Sequence, residues 1–575
     1  MERLEAKQIH GRTYYYYSKW AWVDGKCRRV WQKYLGSLEN IVQAVEGGPA
    51  PLYAEIFQWG LPVALWKQCC AVEVKREIDW LCPKRDQGLT VGDYISIAAI
   101  NRAICPNSKR SMWDWFSQTA LVRYFPDASK TTLTSQRFWD HMDKIKGDTA
   151  AAIWKSVLKG VAEREAIDLS SVCYDGTNFY TFIDTFNLRC EIAKRGKNKQ
   201  GRASLRQVSY ALFCSEDGHI PLFFETYEGS RNDSKQFPLM LEKFHGFLQE
   251  LTGQTCAVPV TTLVFDKGNN SADNFALLDS LELHFVGSVK LDEHKDLVQI
   301  ANEDTVFEAC KAVELNGTKA FRVKKKAYGR ERVMVVTYNQ NLFNSQWLTL
   351  QTDISKAVEK LMSLQQKLKD RAEGLIKGGR APTLESVEKQ CKEFVSRPHL
   401  KRIITVTVTR GVHDCPCLEY AIETDAIHEL SNTYLGKNIL ITSRENWTTD
   451  QIIIAYRSQF IIEDVFKEMK DRHTGSWWPM HHWTDSKIKV HGLYCTIALL
   501  IRALMLRQVT KQGLRLSMKR VFKELDAIRE VVNIHPRRGR QKTDRKQTVL
   551  SKVSELQKQL MSILRLEQEE NCILG

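Results

Sequence analysis

Three carboxylates have the setting that phosphoryl or metal chemistry requires. Asp175 closes a short apolar run, Ser171-Val172-Cys173-Tyr174, and is followed by Gly176-Thr177-Asn178. Asp266 closes a second run, Val260 to Phe265, and is followed by Lys267-Gly268-Asn269-Asn270. A carboxylate at a strand end is held by the sheet yet reaches solvent. Two on neighbouring strands can share a hard cation such as Mg²⁺ or Mn²⁺, which takes oxygen ligands. Singly, each aspartate reads first as a turn former. The third, Glu463, falls in a stretch from Thr448 to Arg472 that reads as one long helix. At about 100° per residue from Ile454, the residues Ile461, Val465 and Met469 fall within about 60°. Tyr456, Gln459, Glu463, Lys467 and Lys470 fall between about 140° and 220°. One face is apolar; the other sets a carboxylate among groups that grip phosphates. A solvated face with a Glu463–Lys467 pair is the competing explanation.

The elements that must position these residues follow from the surrounding pattern. Aromatic and β-branched runs at 12–17 and 29–35 predict a hairpin or meander, turning at Asp24-Gly25. Residues 92–150 read as helical with a break at Cys105-Pro106-Asn107-Ser108, and 151–168 as an amphipathic helix. Then come strands at 171–175, 207–213 and 220–227, a helix at 235–251, a strand ending at Asp266, a helix capped by Ser271, and a strand at 285–289. That order suits a mixed sheet covered by helices. Residues 291–440 interrupt it with strand-like runs (333–337, 402–409), a charged helix at 353–373 and a Gly378-Gly379 linker. A long apolar helix follows at about 487–506, and a basic tail ends in a helix near 549–568. The predicted division is 1–80 (β-rich), 81–150 (helical), 151–290 (first part of a core), 291–440 (insertion), 441–510 (second part with the Glu463 helix) and 511–575 (basic helical tail).

Composition narrows the partner. The chain of 575 residues has a net charge of +15 and a pI near 9.0, which favours a polyanion. Hydrophobic residues at 43% suffice for sizeable cores. No uninterrupted apolar run nears the roughly 20 residues that span a bilayer, and the first residues lack a signal-peptide core. Nucleic acid is therefore the expected partner, no membrane, and the cytoplasm or nucleoid the expected location. Basic segments at 194–202, 322–332 and 537–542 support that choice. The fifteen cysteines show no framework. Cys69-Cys70 and His413 with Cys415-Pro416-Cys417 lack the second pair that zinc would need, so inert thiols are expected.

Taken together, these motifs resemble transposases of the bacterial insertion-sequence-four superfamily, in particular long members with an N-terminal strand and helix region. Tyr34-Leu35-Gly36, Asn101-Arg102 and Pro106-Asn107-Ser108-Lys109 look like recurrent segments. Tyr174-Asp175-Gly176-Thr177 and Phe265-Asp266-Lys267-Gly268-Asn269 look like the first two catalytic segments. The third signature, Tyr, two residues, Arg, three residues, Glu, six residues, Lys, is similar to Tyr456, Gln459, Glu463 and Lys470, with Gln459 in place of Arg. Gln loses a fixed charge and bidentate phosphate geometry.

The resemblance implies an α/β fold: an RNase H-like mixed sheet flanked by helices, interrupted by a mainly β insertion, with an N-terminal strand and helix region and a helical C-terminal tail. It implies a DDE enzyme holding two Mg²⁺ (or Mn²⁺) ions, roughly 3.5–4 Å apart, between Asp175, Asp266 and Glu463. The helical region 81–150 would bind the DNA ends, and Tyr456, Gln459, Lys467 and Lys470 would lie along DNA. The partners would be double-stranded DNA, both transposon ends and target, and a second copy in a homodimer. Trp477 and Trp478 could stack on a base or pack in a core. The alternatives are an inactive or domesticated DNA-binding derivative and a non-mobile nuclease on the same fold.

Overall fold

The structure, a computed structural model, describes the chain except residues 24, 46–49, 85–86, 198–200, 203, 253–260, 472–474, 538–542 and 568–575. Asp24 of the first turn, Val260, the middle of the 194–202 loop and most of the basic run at 537–542 lie outside the described residues. The chain divides into two compact units. One comprises Met1–Thr149, Arg472–Pro479 and Ile497–Gly575, and the other Ala150–Asp471 and Met480–Thr496.

The first unit opens with an antiparallel meander, Glu2–Ile9, Arg12–Val23 and Lys26–Gly36. Helices follow, among them Val91–Ile104, which begins with a capping box between Thr90 and Asp93. Asn101 shapes the break after it, donating to the Cys105 carbonyl and accepting from the Asn107 N–H. Buried Arg102 donates to the Pro479 carbonyl at 2.7 Å. The Asn101-Arg102 motif is thus architectural. Trp477 and Trp478 are buried, which decides for packing over base stacking.

The tail is not wholly helical. Arg529–His535 and Arg545–Leu550 join Tyr53–Gln58 in a three-stranded sheet. The burial of Arg529–His535 alternates residue by residue, the period of a half-buried strand.

The second unit holds the site. Its elements are α1 (Thr149–Glu165), β1 (Ser171–Tyr180), β2 (Arg206–Ser215), β3 (Pro221–Glu228), α2 (Asp233–Thr252), β4 (Thr262–Phe265), α3 (Ala272–Ser280), β5 (His284–Val289), β6 (Thr318–Ala327), β7 (Arg330–Asn339), α4 (Gln340–Ala372), α5 (Leu384–Phe394), β8 (Ile404–Arg410), β9 (Pro416–Ile422), β10 (Lys437–Thr442), α6 (Thr449–Arg457) and α7 (Phe460–Lys470). The core of the sheet runs β3-β2-β1-β4-β5. Its first three strands are antiparallel, and β1, β4 and β5 are parallel. This is the RNase H-like arrangement, a mixed sheet flanked by helices. β4 is Thr-Leu-Val-Phe with every residue buried, as a central parallel strand demands.

The insertion is built into that sheet. β10 pairs with β5, β7 with β10 and β6 with β7, all antiparallel. The 33-residue α4 makes the insertion a mixture of helix and strand rather than mainly β. Residues 340–372 are rich in Leu, Gln and Lys, good helix formers. α4 and α5 pack on the β8–β9 hairpin around Leu361, Val387, Leu400 and Leu418.

The helix predicted at 487–506 is α8, Asp485–Lys511. It is long and apolar enough to cross a membrane, although no single uninterrupted apolar run marks it in the sequence. Its most apolar stretch is 94% buried, so it serves as a core helix.

Candidate active site

The registers of the three parallel strands align the site. β1 pairs with β4 through Cys173↔Val264, and β4 with β5 through Phe265↔Gly287. Continued in the same steps, these registers set Asp175 beside Asp266 and Asp266 beside Ser288. Adjacent strands lie about 4.8 Å apart, and aligned residues of parallel strands share a face. The two aspartates and Ser288 therefore form one row across the sheet, just past the carboxyl end of β4 and near that of β5; Asp175 does not close its strand as expected, because β1 runs on, buried, to Tyr180 and holds the aspartate at its middle. Asp175 is the one residue of β1 not fully buried, and Asp266 is likewise half-buried. Each carboxylate accepts from the next residue's N–H at 2.7 Å, Asp175 from Gly176 and Asp266 from Lys267.

The helix predicted as continuous is two helices. Ser458 ends α6: its N–H bonds back to Ile454 and Ala455, and its hydroxyl to the Ala455 carbonyl at 2.6 Å. The same residue is buried against Cys173 of β1, with 3.4 Å between Oγ and Sγ. The break lets the pair cross the sheet, α6 packing on β5 and α7 on β1 and β2. Ile461, Ile462, Val465, Phe466 and Met469 form the buried face of α7.

Along this pair the predicted residues separate by role. The Tyr456 hydroxyl donates to Ser288 Oγ at 2.9 Å. Burial raises its pKa above the ordinary tyrosine value, and the negative charges of Asp266 and Glu463 push the same way. Tyr456 is thus near both the second and the third carboxylate. Lys470 Nζ donates to Thr177 Oγ1 at 2.5 Å. Thr177 lies on the same face of β1 as Asp175, two residues on. Glu463 precedes Lys470 by seven residues, nearly two full turns, so both lie on one stripe of α7. Glu463 is exposed. Lys467 pairs with Asp464 at 2.9 Å rather than with Glu463, and both side chains are open to solvent. Gln459 is half-buried at the start of α7. Arg457 is no substitute for the expected Arg, because its guanidinium donates to the Glu314 carbonyl (2.9 Å) and to Thr318 Oγ1 (2.8 Å).

The structure thus brings Asp175 and Asp266 onto one row and sets Glu463 on the helix lying over it. Among the described residues, no three His, Cys, Asp or Glu side chains converge closely enough to hold a metal ion. Two residues were missed in the sequence. Thr177 was seen only as part of a motif, and nothing in the chain marked Ser288, whose partner lies 168 residues away. Asn270 Nδ2 donates to the Ser288 carbonyl at 2.8 Å, so Ser288 also ties down the turn after Asp266.

The basic segments change in meaning. In the 322–332 cluster, Lys324 pairs with Glu445, Lys325 with Asp296, and Arg330 and Arg332 with Asp279. Arg322 donates to the carbonyls of Glu445 and Trp447. These cations tie the insertion hairpin to the core, which weakens the case for that cluster as a phosphate site.

A family model described as a transposase DDE domain matches residues 168–501. No curated protein sequence matches the chain. A solved structure of the piggyBac transposase, a synaptic complex with hairpin DNA, aligns over 81% of this chain and 79% of that one, at 10% identity and a TM-score of 0.37.

Proposed function

The chain belongs to the transposase DDE domain family, and from that premise we propose that it binds the terminal inverted repeats of an insertion sequence, cleaves the DNA ends and joins them to target DNA. Asp175, Asp266 and Glu463 are its catalytic carboxylates. The observation that carries this reading is the strand row that aligns Asp175 with Asp266 beneath the helix bearing Glu463.

Three carboxylates with no thiol or imidazole among them are the donor chemistry of a hard divalent cation, and Asp175 and Asp266 share one row across the sheet, although the three side chains do not converge on one point in this structure. Asp175, Asp266 and Glu463 would hold two Mg²⁺ or Mn²⁺ ions. Bound there, such ions supply Lewis acidity at the phosphodiester and a lowered pKa for the attacking hydroxyl. In cleavage, water attacks phosphorus, gives up a proton, and the 3′-oxygen leaves as a hydroxyl; in joining, that freed 3′-hydroxyl gives up its proton and attacks a target phosphorus, and the target strand's own 3′-oxygen leaves as a new 3′-hydroxyl. Neither step needs a covalent link to the protein. Lys470, fixed by Thr177, sets a positive charge beside the aspartate row. Lys467 adds an exposed ammonium on the same helix. Tyr456, made still harder to ionise by burial and by two negative neighbours, adds a hydroxyl near Asp266. Paired ends imply two copies of the chain acting together.

The test replaces each carboxylate by its amide, Asp175→Asn, Asp266→Asn and Glu463→Gln. Each variant is expected to lose Mg²⁺-dependent cleavage and strand transfer while still binding DNA. Full activity in any one removes that residue from the assignment. Gln459 favours a second reading, a DNA-binding derivative without activity, since Arg457 is engaged elsewhere. Absence of cleavage and of heat on Mn²⁺ titration of the wild-type chain would decide for it.

A further inference from the structure

The helical region 81–150 was the expected DNA-end surface, yet Val91–Ile104 is buried at thirteen of its fourteen residues. Such a helix has no free face to lay in a groove. The N-terminal meander is the opposite case. Of its strand residues, only Ser18 and Gly36 are buried. Residues 1–36 carry eight Lys or Arg against three Asp or Glu, together with eight Tyr or Trp. Aromatic residues spread over an exposed sheet add little to a core, so their presence calls for a partner.

The strand registers sort these residues by face. Tyr16 lies between Glu5 and Tyr34, and Trp20 opposite Arg29. By alternation, Arg3, Lys7, Arg12 and Trp22 share that face. Arg3 lies 4.5 Å over the Trp20 ring and Lys7 4.8 Å over the Tyr16 ring. The face's carboxylate, Glu5, accepts from Trp20 Nε1 at 2.7 Å and pairs with Arg3 (3.2 Å) and Arg29 (3.6 Å). Lys7 and Arg12 have no acidic partner among the described residues. Trp22 is 77% exposed.

We propose that this face of the meander docks on duplex DNA. The choice of DNA as ligand rests on the transposase reading; the location rests on charge, exposure and register. Five net positive charges in thirty-six residues complement a polyanion and oppose a second copy of the same face. Two adjacent strands about 4.8 Å apart make a ribbon that a major groove about 12 Å wide admits, the third strand lying along its edge. Arginines on such a face reach phosphates and guanine edges alike.

The experiment uses the full chain, with fluorescence anisotropy on a random-sequence duplex and on oligo(dT). Lys7→Ala/Arg12→Ala should weaken duplex binding on the order of tenfold at 0.1 M salt and lower the salt slope by roughly 1.8, about 0.9 for each phosphate no longer neutralised. Trp22→Ala should weaken it as well. Lys26→Ala/Lys33→Ala, on the opposite face, should cost less. Unchanged affinity and slope in a folded Lys7→Ala/Arg12→Ala protein overturns the proposal. So does an equal loss from the opposite face, or tighter binding to oligo(dT) than to duplex. If cleavage depends on the carboxylates but the meander variants bind like wild type, this inference alone fails. If the meander variants bind weakly but no carboxylate matters, the transposase reading alone fails.

Discussion

Replacing Ser288 with Ala removes the acceptor of the Tyr456 hydroxyl while leaving the backbone carbonyl that holds Asn270. The bond is 2.9 Å long and Ser288 is 2% exposed. A bond of this kind contributes about 0.5–1.5 kcal/mol net, and a buried hydroxyl left without its partner costs about 1–3 kcal/mol. If the bond positions Tyr456 between Asp266 and Glu463, the cleavage rate should fall about 5- to 30-fold, since about 1.4 kcal/mol is a factor of ten. Tyr456→Phe should produce a similar fall, and the double variant little more than either. Single-turnover cleavage of a labelled duplex at saturating Mg²⁺ measures the cycle, with thermal melting as the stability control. A second readout is direct: once Tyr456 ionises, Ser288 can turn its hydroxyl to donate to the phenolate, which opposes the upward pKa shift, so Ser288→Ala should raise that pKa further, seen by absorbance on alkaline titration. Additive losses, or a fall in rate matched by a fall in melting temperature with no change in that titration, would refute the positioning role.

Three further outcomes are expected. Gln459→Arg should tighten binding to element ends, with a steeper salt dependence, if that position faces phosphate; unchanged binding would place it elsewhere. Burial holds the Lys437 ammonium, which donates to the Val298 and Ile300 carbonyls, at a pKa of about 8. Between that value and the unfolded one near 10.4 the unfolded chain binds more protons, so folding is penalised at neutral pH and the penalty lifts as pH rises through 8 to 10. Denaturant melts should show wild type gaining on the order of 1–3 kcal/mol relative to Lys437→Met over that window. Gly492→Ala would place a Cβ 2.8 Å from Thr226 Cγ2, a buried side chain on β3. The clash should outweigh the better helix propensity and destabilise by about 1–2 kcal/mol.

Much of the site was legible because it is written in local pattern. A short apolar run marks the strand that leads to each aspartate, and at Asp266 the strand does end; at Asp175 it does not, since β1 continues buried to Tyr180 with the carboxylate half-buried on one face. The stripe of Ile461, Val465 and Met469 announces the buried face of α7, because a helix side alternates every three or four residues. Ser271 was recognised as a cap for the same local reason and accepts from the Asn274 N–H. The long-range features were not legible. The break at Ser458 depends on burial against Cys173, and the Tyr456–Ser288 and Lys470–Thr177 bonds join residues 168 and 293 positions apart. That the meander lies exposed while Val91–Ile104 is buried was not legible either, because only packing separates a surface from a core. Lys324, Lys325, Arg330 and Arg332 look free along the chain and are paired with carboxylates in space. Three carboxylates and the order of their strands and helices follow from the residues alone. Their alignment in one row follows from strand register, which is set by backbone hydrogen bonds between segments about ninety residues apart, and no local pattern encodes that pairing.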